Sequence, residues 1–305
     1  MSGDEYLWEG SGEPDPEVAR LERALGPLRY DRPRPEIPVR ARRIRLWPMS
    51  LAAAAGLGLA FGVWSLRRAP QHTVWQISNS GKARAVSTGE WLTTDAASSL
   101  TLTAAQIGHV DLAPNTKLHL KTTKKTEHRL ELAQGKITAY ITAPPRLFFV
   151  ETPSAVAADL GCGYSLEVDP SGDGFLHVMY GWVELQRDGR TALVPSSGQC
   201  RMRGKIGPGT PHFEDAPAEL RNALDRFDFE RGGATALDII LQAARLRDTL
   251  TLWHLLTRVA PPERGRVYDR LAALSAPPAG VTRDLIRQAD DHALQEWKTE
   301  LKKDW

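Results

Sequence analysis

Ile107-Gly108-His109-Val110-Asp111-Leu112, a turn at Pro114-Asn115, and Lys117-Leu118-His119-Leu120 form the stretch that decides the fold. Val110 and Leu112 on one side of the turn, and Leu118 and Leu120 on the other, alternate with polar residues. Successive side chains of a strand point to opposite faces, so this spacing predicts two half-buried β-strands. The pattern continues outward. Leu130-Glu131-Leu132 leads to a turn at Gln134-Gly135 and then to Ile137–Ile141, Phe148–Glu151, Ala155–Leu160, Tyr164–Val168, Phe175–Tyr180 and Trp182–Gln186. Nothing of helical length competes between residues 74 and 205. The chain is therefore expected to be mainly β there, as a sandwich, jelly roll or β-solenoid.

At 305 residues the sequence leaves room for two domains, and its 42% hydrophobic content can support a core. Lys+Arg 39 against Asp+Glu 37 gives a net charge of +2, so no global field attracts nucleic acid. The charge is uneven, however. Residues 32–45 hold Arg32, Arg34, Arg40, Arg42, Arg43 and Arg45, and residues 46–66 then carry no ionisable side chain. Twenty-one helical residues span about 31 Å, close to the hydrocarbon thickness of a bilayer. Trp47 and Trp64 sit near the two ends, where indoles favour the interface. A single transmembrane helix over 46–66 is expected, with the arginine-rich side in the cytoplasm and the bulk of the chain outside the inner membrane. Gly58 and Gly62 make a small-residue stripe on which two such helices can associate.

Residues 1–30 read as a cytoplasmic helical stub. Asp15-Pro16-Glu17 starts a helix, Val18, Leu21 and Leu25 recur at helical spacing, and Gly26-Pro27 ends it. Trp8, Leu21 and Leu25 are the residues for a cytoplasmic partner, the alternative being a frayed tether. Residues 31–45, with Pro33, Pro35 and Pro38, are a semi-rigid juxtamembrane linker. At the other end, a Gly/Pro linker over 206–217 precedes a small all-α region, 218–305. Helices are expected over 234–246, 249–259 capped by Asp248, 263–274, and 282–302 with Thr282 as N-cap. These would form either a small HEAT-like bundle or a helical cap on the β-domain.

The series Gly89-Glu90-Trp91, Gly108-x-Val110-x-Leu112, Pro114-Asn115-Thr116, Leu118-x-Leu120, Leu130-x-Leu132-x-x-Gly135, Phe149-Val150-Glu151-Thr152-Pro153 and Gly181-x-Val183-x-Leu185 resembles the FecR family. These periplasmic-domain proteins are best known as transmembrane regulators of iron-uptake sigma factors. The resemblance implies a periplasmic β-domain beyond the single span and a regulatory protein, such as a sigma factor, as cytoplasmic partner. Two departures bear on this. Gly161-Cys162-Gly163-Tyr164 stands where the family usually shows Gly-Thr-x-Phe, and the stub is shorter than the sigma-factor-binding segment of the iron regulators.

Chemistry-bearing motifs are few. Cys162 and Cys200 would lie outside the membrane, where a disulfide contributes about 3–4 kcal/mol by loop-entropy arguments, unless the two thiols are buried too far apart to bond. Asp169-Pro170-Ser171-Gly172-Asp173-Gly174 imitates the start of a calcium loop, but Tyr180 occupies the position that needs a bidentate Glu, and a polar hairpin turn explains the residues. His109, His119 and His128 fall on predicted strands without metal-ligand spacing, and no catalytic, cofactor or metal motif occurs. The expected function is thus non-enzymatic regulation in transmembrane signalling. The alternatives are a scaffolding module of an envelope complex, possessing an inert stub, or a carbohydrate-binding domain using Trp91 and Trp182, although both tryptophans fit the core as well.

Overall fold

A computed structural model describes residues 16–25, 74–79 and 82–305. The chain divides into Met1–Ala69 and Pro70–Trp305. In the first unit the described residues are one helix, α1 (Pro16–Leu25), on which Leu21 and Leu25 are exposed. Among the described residues no helix is long and apolar enough to cross a membrane. The apolar stretch 46–66 with Gly58 and Gly62, the linker 31–45, and Trp8 lie outside the described residues.

The second unit begins with two sheets that share one long strand. In one sheet β1 (Trp75–Asn79) pairs with β2 (Lys82–Val86) and β4 (Leu100–Ala104), and β5 (Gly108–Leu112) lies between β4 and β7 (Glu127–Ile141). Beyond β7 come β10 (Gly163–Val168), β11 (Gly174–Tyr180) and β14 (Gly198–Arg203), with the two-residue strands β15 (Gly207–Pro208) and β16 (His212–Phe213) on β14. The other sheet runs β3 (Trp91–Thr93), β6 (Lys117–Lys124), β7, β8 (Phe148–Glu151), β9 (Val156–Asp159), β12 (Trp182–Arg187) and β13 (Arg190–Pro195). Pairing is antiparallel except between β7 and β8. The strands therefore do not stack as the parallel coils of a solenoid; hairpin-linked neighbours build two sheets instead.

Strand β7 joins the sheets. Its residues up to Gln134 pair with β6, and those from Gly135 onward pair with β10 and β5. Gln134-Gly135 is thus not the turn that its composition suggests but a bend inside one strand. Gly135 has φ +96°, and a Cβ there would lie 2.4 Å from Thr116 Cα. Only glycine accepts both demands without strain. The Thr116 hydroxyl holds the bend, accepting from Lys136 N and donating to Lys136 O, each at 3.1 Å.

The inward residues of both sheets form one apolar core, including Leu102, Val110, Leu118, Leu130, Ile137, Leu166, Val178 and Leu185, all fully buried. Trp75 of the first sheet meets Phe148 and His128 of the second with ring centroids 6.0 and 6.1 Å apart. Each fully buried side chain of this kind contributes about 1.5–3 kcal/mol of transfer free energy.

A second apolar core follows. Helices α2 (Ala218–Phe229), α3 (Gly233–Ala243), α4 (Thr249–Leu256), α5 (Arg264–Leu274), α6 (Arg283–Arg287) and α7 (Asp291–Leu301) bury Leu220, Ile240, Leu252, Leu271, Ile286 and Trp297 together. Three features differ from expectation. Helix α2 carries a stripe of only Leu220, Ala223 and Leu224 among charged residues, too sparse to stand out in the sequence. Asp248 does not cap α4; its carboxylate accepts from the backbone and side chain of Arg245. The last helix breaks in two, because Ala289 takes φ +57° and Asp290 caps α7 through Ala293 N at 2.9 Å. Thr282 does cap α6, its side chain accepting from Leu285 N.

Candidate functional site

Strand β13 is an edge strand, hydrogen-bonded on one side to β12. Residues two apart on a strand direct their backbone groups to the same side, so Thr191 and Leu193 share a side of β13. The helical region covers their edge. His254 of α4 accepts the Leu193 N–H at Nε2, 3.0 Å away, while its Nδ1 donates to Leu250 O at 2.8 Å. Four residues on, Arg258 Nη2 donates to Thr191 O at 2.7 Å. A histidine and an arginine at i and i+4 thus take the place of a neighbouring strand, satisfying a donor and an acceptor that would otherwise offer a pairing template.

Both side chains are buried, and their protonation states follow from it. Burial and the nearby Arg258 charge push His254 down to about 3, so its ring is neutral with the proton on Nδ1. Arg258 is compensated by Asp228 of α2, at 3.4 Å. Asp228 is itself buried and also accepts from Thr210 N at 2.6 Å and from Arg190 of β13. One carboxylate therefore ties α2, the Gly/Pro segment, β13 and the residues after α4 into one network. Breaking a buried arrangement of this kind is costly, because a charge is left without its partner.

Beside this network opens a cleft of about 580 Å³. Arg146, Arg190, Arg258, Lys298 and Lys302 line it with Glu184. Glu184 pairs with Arg146, and Asp228 lies behind Arg190 and Arg258. The Lys298 ammonium lies 4.8 Å from the ring centroid of Trp253, and that of Lys302 lies 4.7 Å from that of Trp182. Burial and the neighbouring Lys302 lower the pKa of Lys298. Trp305 packs nearby, its indole N–H donating to Thr249 Oγ1 at 3.1 Å and its ring centroid lying 6.4 and 6.1 Å from those of Trp182 and Trp253.

The residues singled out in the sequence fall elsewhere; Trp182 on β12 lies beneath Lys302 and does not line the cleft. Cys162 and Cys200 are free, buried thiols rather than a disulfide. Cys200 on β14 pairs with Leu176 of β11, which pairs with Leu166 of β10, whereas Cys162 immediately precedes β10. Two strand spacings, about 9–10 Å, separate the strands, and Cys162 lies four residues further along from Leu166, well beyond the 7 Å or so that a disulfide spans. Cys162 donates instead to the buried Asp159 carboxylate, and Cys200 to Gly209 O at 3.1 Å. Burial raises Asp159 to about 6 and pushes up both thiols, so neither is a ready nucleophile.

Trp91 is 44% exposed rather than in the core. His119 stacks on it at 4.5 Å, and the Lys117 ammonium lies 4.7 Å from its ring centroid. His109 stacks on Tyr140 at 4.7 Å and His128 is buried in the core, so the three strand histidines do not meet. In the Asp169–Gly174 turn, Asp169 Oδ1 already accepts from Ser171 N, Ser171 Oγ and Asp173 N, as a polar hairpin turn requires. The Thr152-Pro153 motif is likewise structural, since the Thr152 hydroxyl accepts from Ala155 N at 2.9 Å in the turn between β8 and β9. His254, Arg258 and Asp228 carried no sequence signal, because the partners that tie them across elements lie 18 to 67 residues away.

Comparison with known proteins accords with the strand region. Residues 90–184 match the family model described as FecR protein. Two crystal structures of a candidate anti-sigma factor from Parabacteroides distasonis, at 1.65 and 2.50 Å resolution, are each 17% identical over 44% of this chain, with a TM-score of 0.37. The chain spans 63% of the length of those solved chains. No curated protein matches it. The matched segment begins just before β3 and ends within β12, so β13 and the helices that cover it lie beyond the match. The FecR resemblance of the strand motifs therefore extends over residues 90–184, where the family model matches.

Proposed function

We propose that this protein is a non-enzymatic, single-pass inner-membrane regulator. Its FecR-like domain and helical region face the periplasm, and its N-terminal segment acts on a cytoplasmic partner of the sigma-factor type. The observation that carries this reading is the FecR family match at 90–184, placed after an arginine-flanked apolar stretch of membrane-spanning length. Helix α1 adds to it, since Leu21 and Leu25 lie on one face and are 61% and 57% exposed, as an unpartnered docking helix would leave them. Non-enzymatic action is supported by the chemistry of the described residues. The two thiols are buried and raised in pKa, and the histidine beside the cleft is neutral and held through both ring nitrogens.

A bait carrying residues 1–45 tests the partner, using the purified sigma factors of the protein's own cell. Capture of one of them, abolished by Leu21→Asp with Leu25→Asp, is the expected result. Failure to capture any, or capture indifferent to both substitutions, contradicts the reading.

A further inference from the structure

We propose that the cleft between β13 and the C-terminal helices binds a phosphate-bearing small molecule, its oxyanions held by Lys298, Lys302 and Arg190. The first argument is charge. Five cationic side chains face the cleft, while Glu184 and Asp228 compensate two of them, so three positive charges remain. The second is unused donors. Among the described residues neither Lys298 nor Lys302 has a carboxylate within ion-pair distance, and Arg190 Nε is buried without a hydrogen-bond partner. A buried donor left unpaired is costly and calls for an acceptor.

The third argument is the cost of the empty arrangement. Lys298 is half-buried beside Lys302, and burial and that neighbouring charge lower its pKa, with Glu184 offsetting them only in part. An oxyanion between them reverses the sign of both effects. Two ammonium point charges and an arginine N–H suit a multiply charged phosphate better than a single carboxylate. The volume, about 580 Å³, falls in the range of small-molecule sites and exceeds the need of one phosphate. Leu160, Leu193 and Trp253 also line the cleft and offer apolar surface to the organic remainder.

This inference stands apart from the regulatory role, because it concerns binding alone. The test uses full-length protein in detergent, titrated with inorganic pyrophosphate at constant ionic strength, with chloride as control. A parallel arm uses glycerol 3-phosphate, the unit a phospholipid headgroup would present. Expected are a rise in melting temperature beyond that in chloride and saturable heat in calorimetry. Tighter binding of glycerol 3-phosphate would assign the site to a headgroup, and tighter binding of pyrophosphate to a free phosphate compound. Lys298→Gln with Lys302→Gln should weaken binding by about tenfold or more while leaving the unliganded melting temperature equal or higher. Lys302→Gln alone, at an exposed position, supplies a variant whose folding is not in question and should weaken binding in the same direction. No shift beyond chloride in the wild type, or equal shifts in the wild type and both variants, would overturn the proposal.

Discussion

The Nε2 atom of His254 accepts the backbone N–H of Leu193 at 3.0 Å, so one ring nitrogen seals an edge strand of the β-region. The bond exists only while that nitrogen is unprotonated. With a folded pKa of about 3 against an unfolded value near 6.5, the unfolded chain binds the extra proton between those limits. This contribution is complete above pH 6.5 or so and is lost as pH falls toward 3, with a limiting slope of about 1.4 kcal/mol per pH unit. His254→Leu should abolish the slope and cost about 1–3 kcal/mol at pH 7.5, because Leu193 N–H is left unpaired. Urea unfolding of both proteins between pH 4 and 8 measures it.

Asp159 titrates with the opposite sign. Its folded pKa of about 6 exceeds that of an unfolded aspartate, so the folded chain binds the extra proton between about pH 4 and 6. Its contribution is fully present below that window and declines as pH rises through 6. Asp159→Asn keeps an acceptor for Gly161 N and removes the buried charge. The variant should gain on the wild type as pH rises from 5 to 8, which the same unfolding series measures.

Asp228 is the counter-charge of two arginines. Asp228→Asn leaves Arg190 and Arg258 near each other with no buried anion, at a cost of about 3–5 kcal/mol. Because those arginines border the edge strand, amide exchange should accelerate most along β13 and the Gly/Pro segment. Uniform acceleration across the β-region would instead mean that Asp228 stabilises the whole unit.

Gly135→Ala should cost about 2–4 kcal/mol, combining a positive φ with a Cβ 2.4 Å from Thr116 Cα. Thermal denaturation reads this directly.

The β-region was legible because alternation is local: Val110, Leu112, Leu118 and Leu120 each state their face within a few residues. Gly135 misleads because a positive φ serves a turn and a bend between sheets alike, and what separates them is the pairing of β7 with β6 on one side and β10 on the other. Cys162 and Cys200 read as a disulfide because chain separation says nothing of the strand between them. The cleft stayed hidden for a related reason. Its charges come from the residues before β8, from β12 and β13, from the segment after α4, and from α7 and its C-terminal end, and each alone resembles an ordinary solvated surface. Lys298 and Lys302 gain meaning only once α7 places them beside Arg190 and Arg258.

Membrane topology is the most direct test of the regulatory reading, since a signal received on one side must reach a segment on the other. Reporter fusions after residue 40 and after residue 230 of the full chain measure it. The account predicts a cytoplasmic signal from the first and a periplasmic signal from the second. Cytoplasmic signals from both would contradict it, removing the span at 46–66 and the transmembrane regulatory role together.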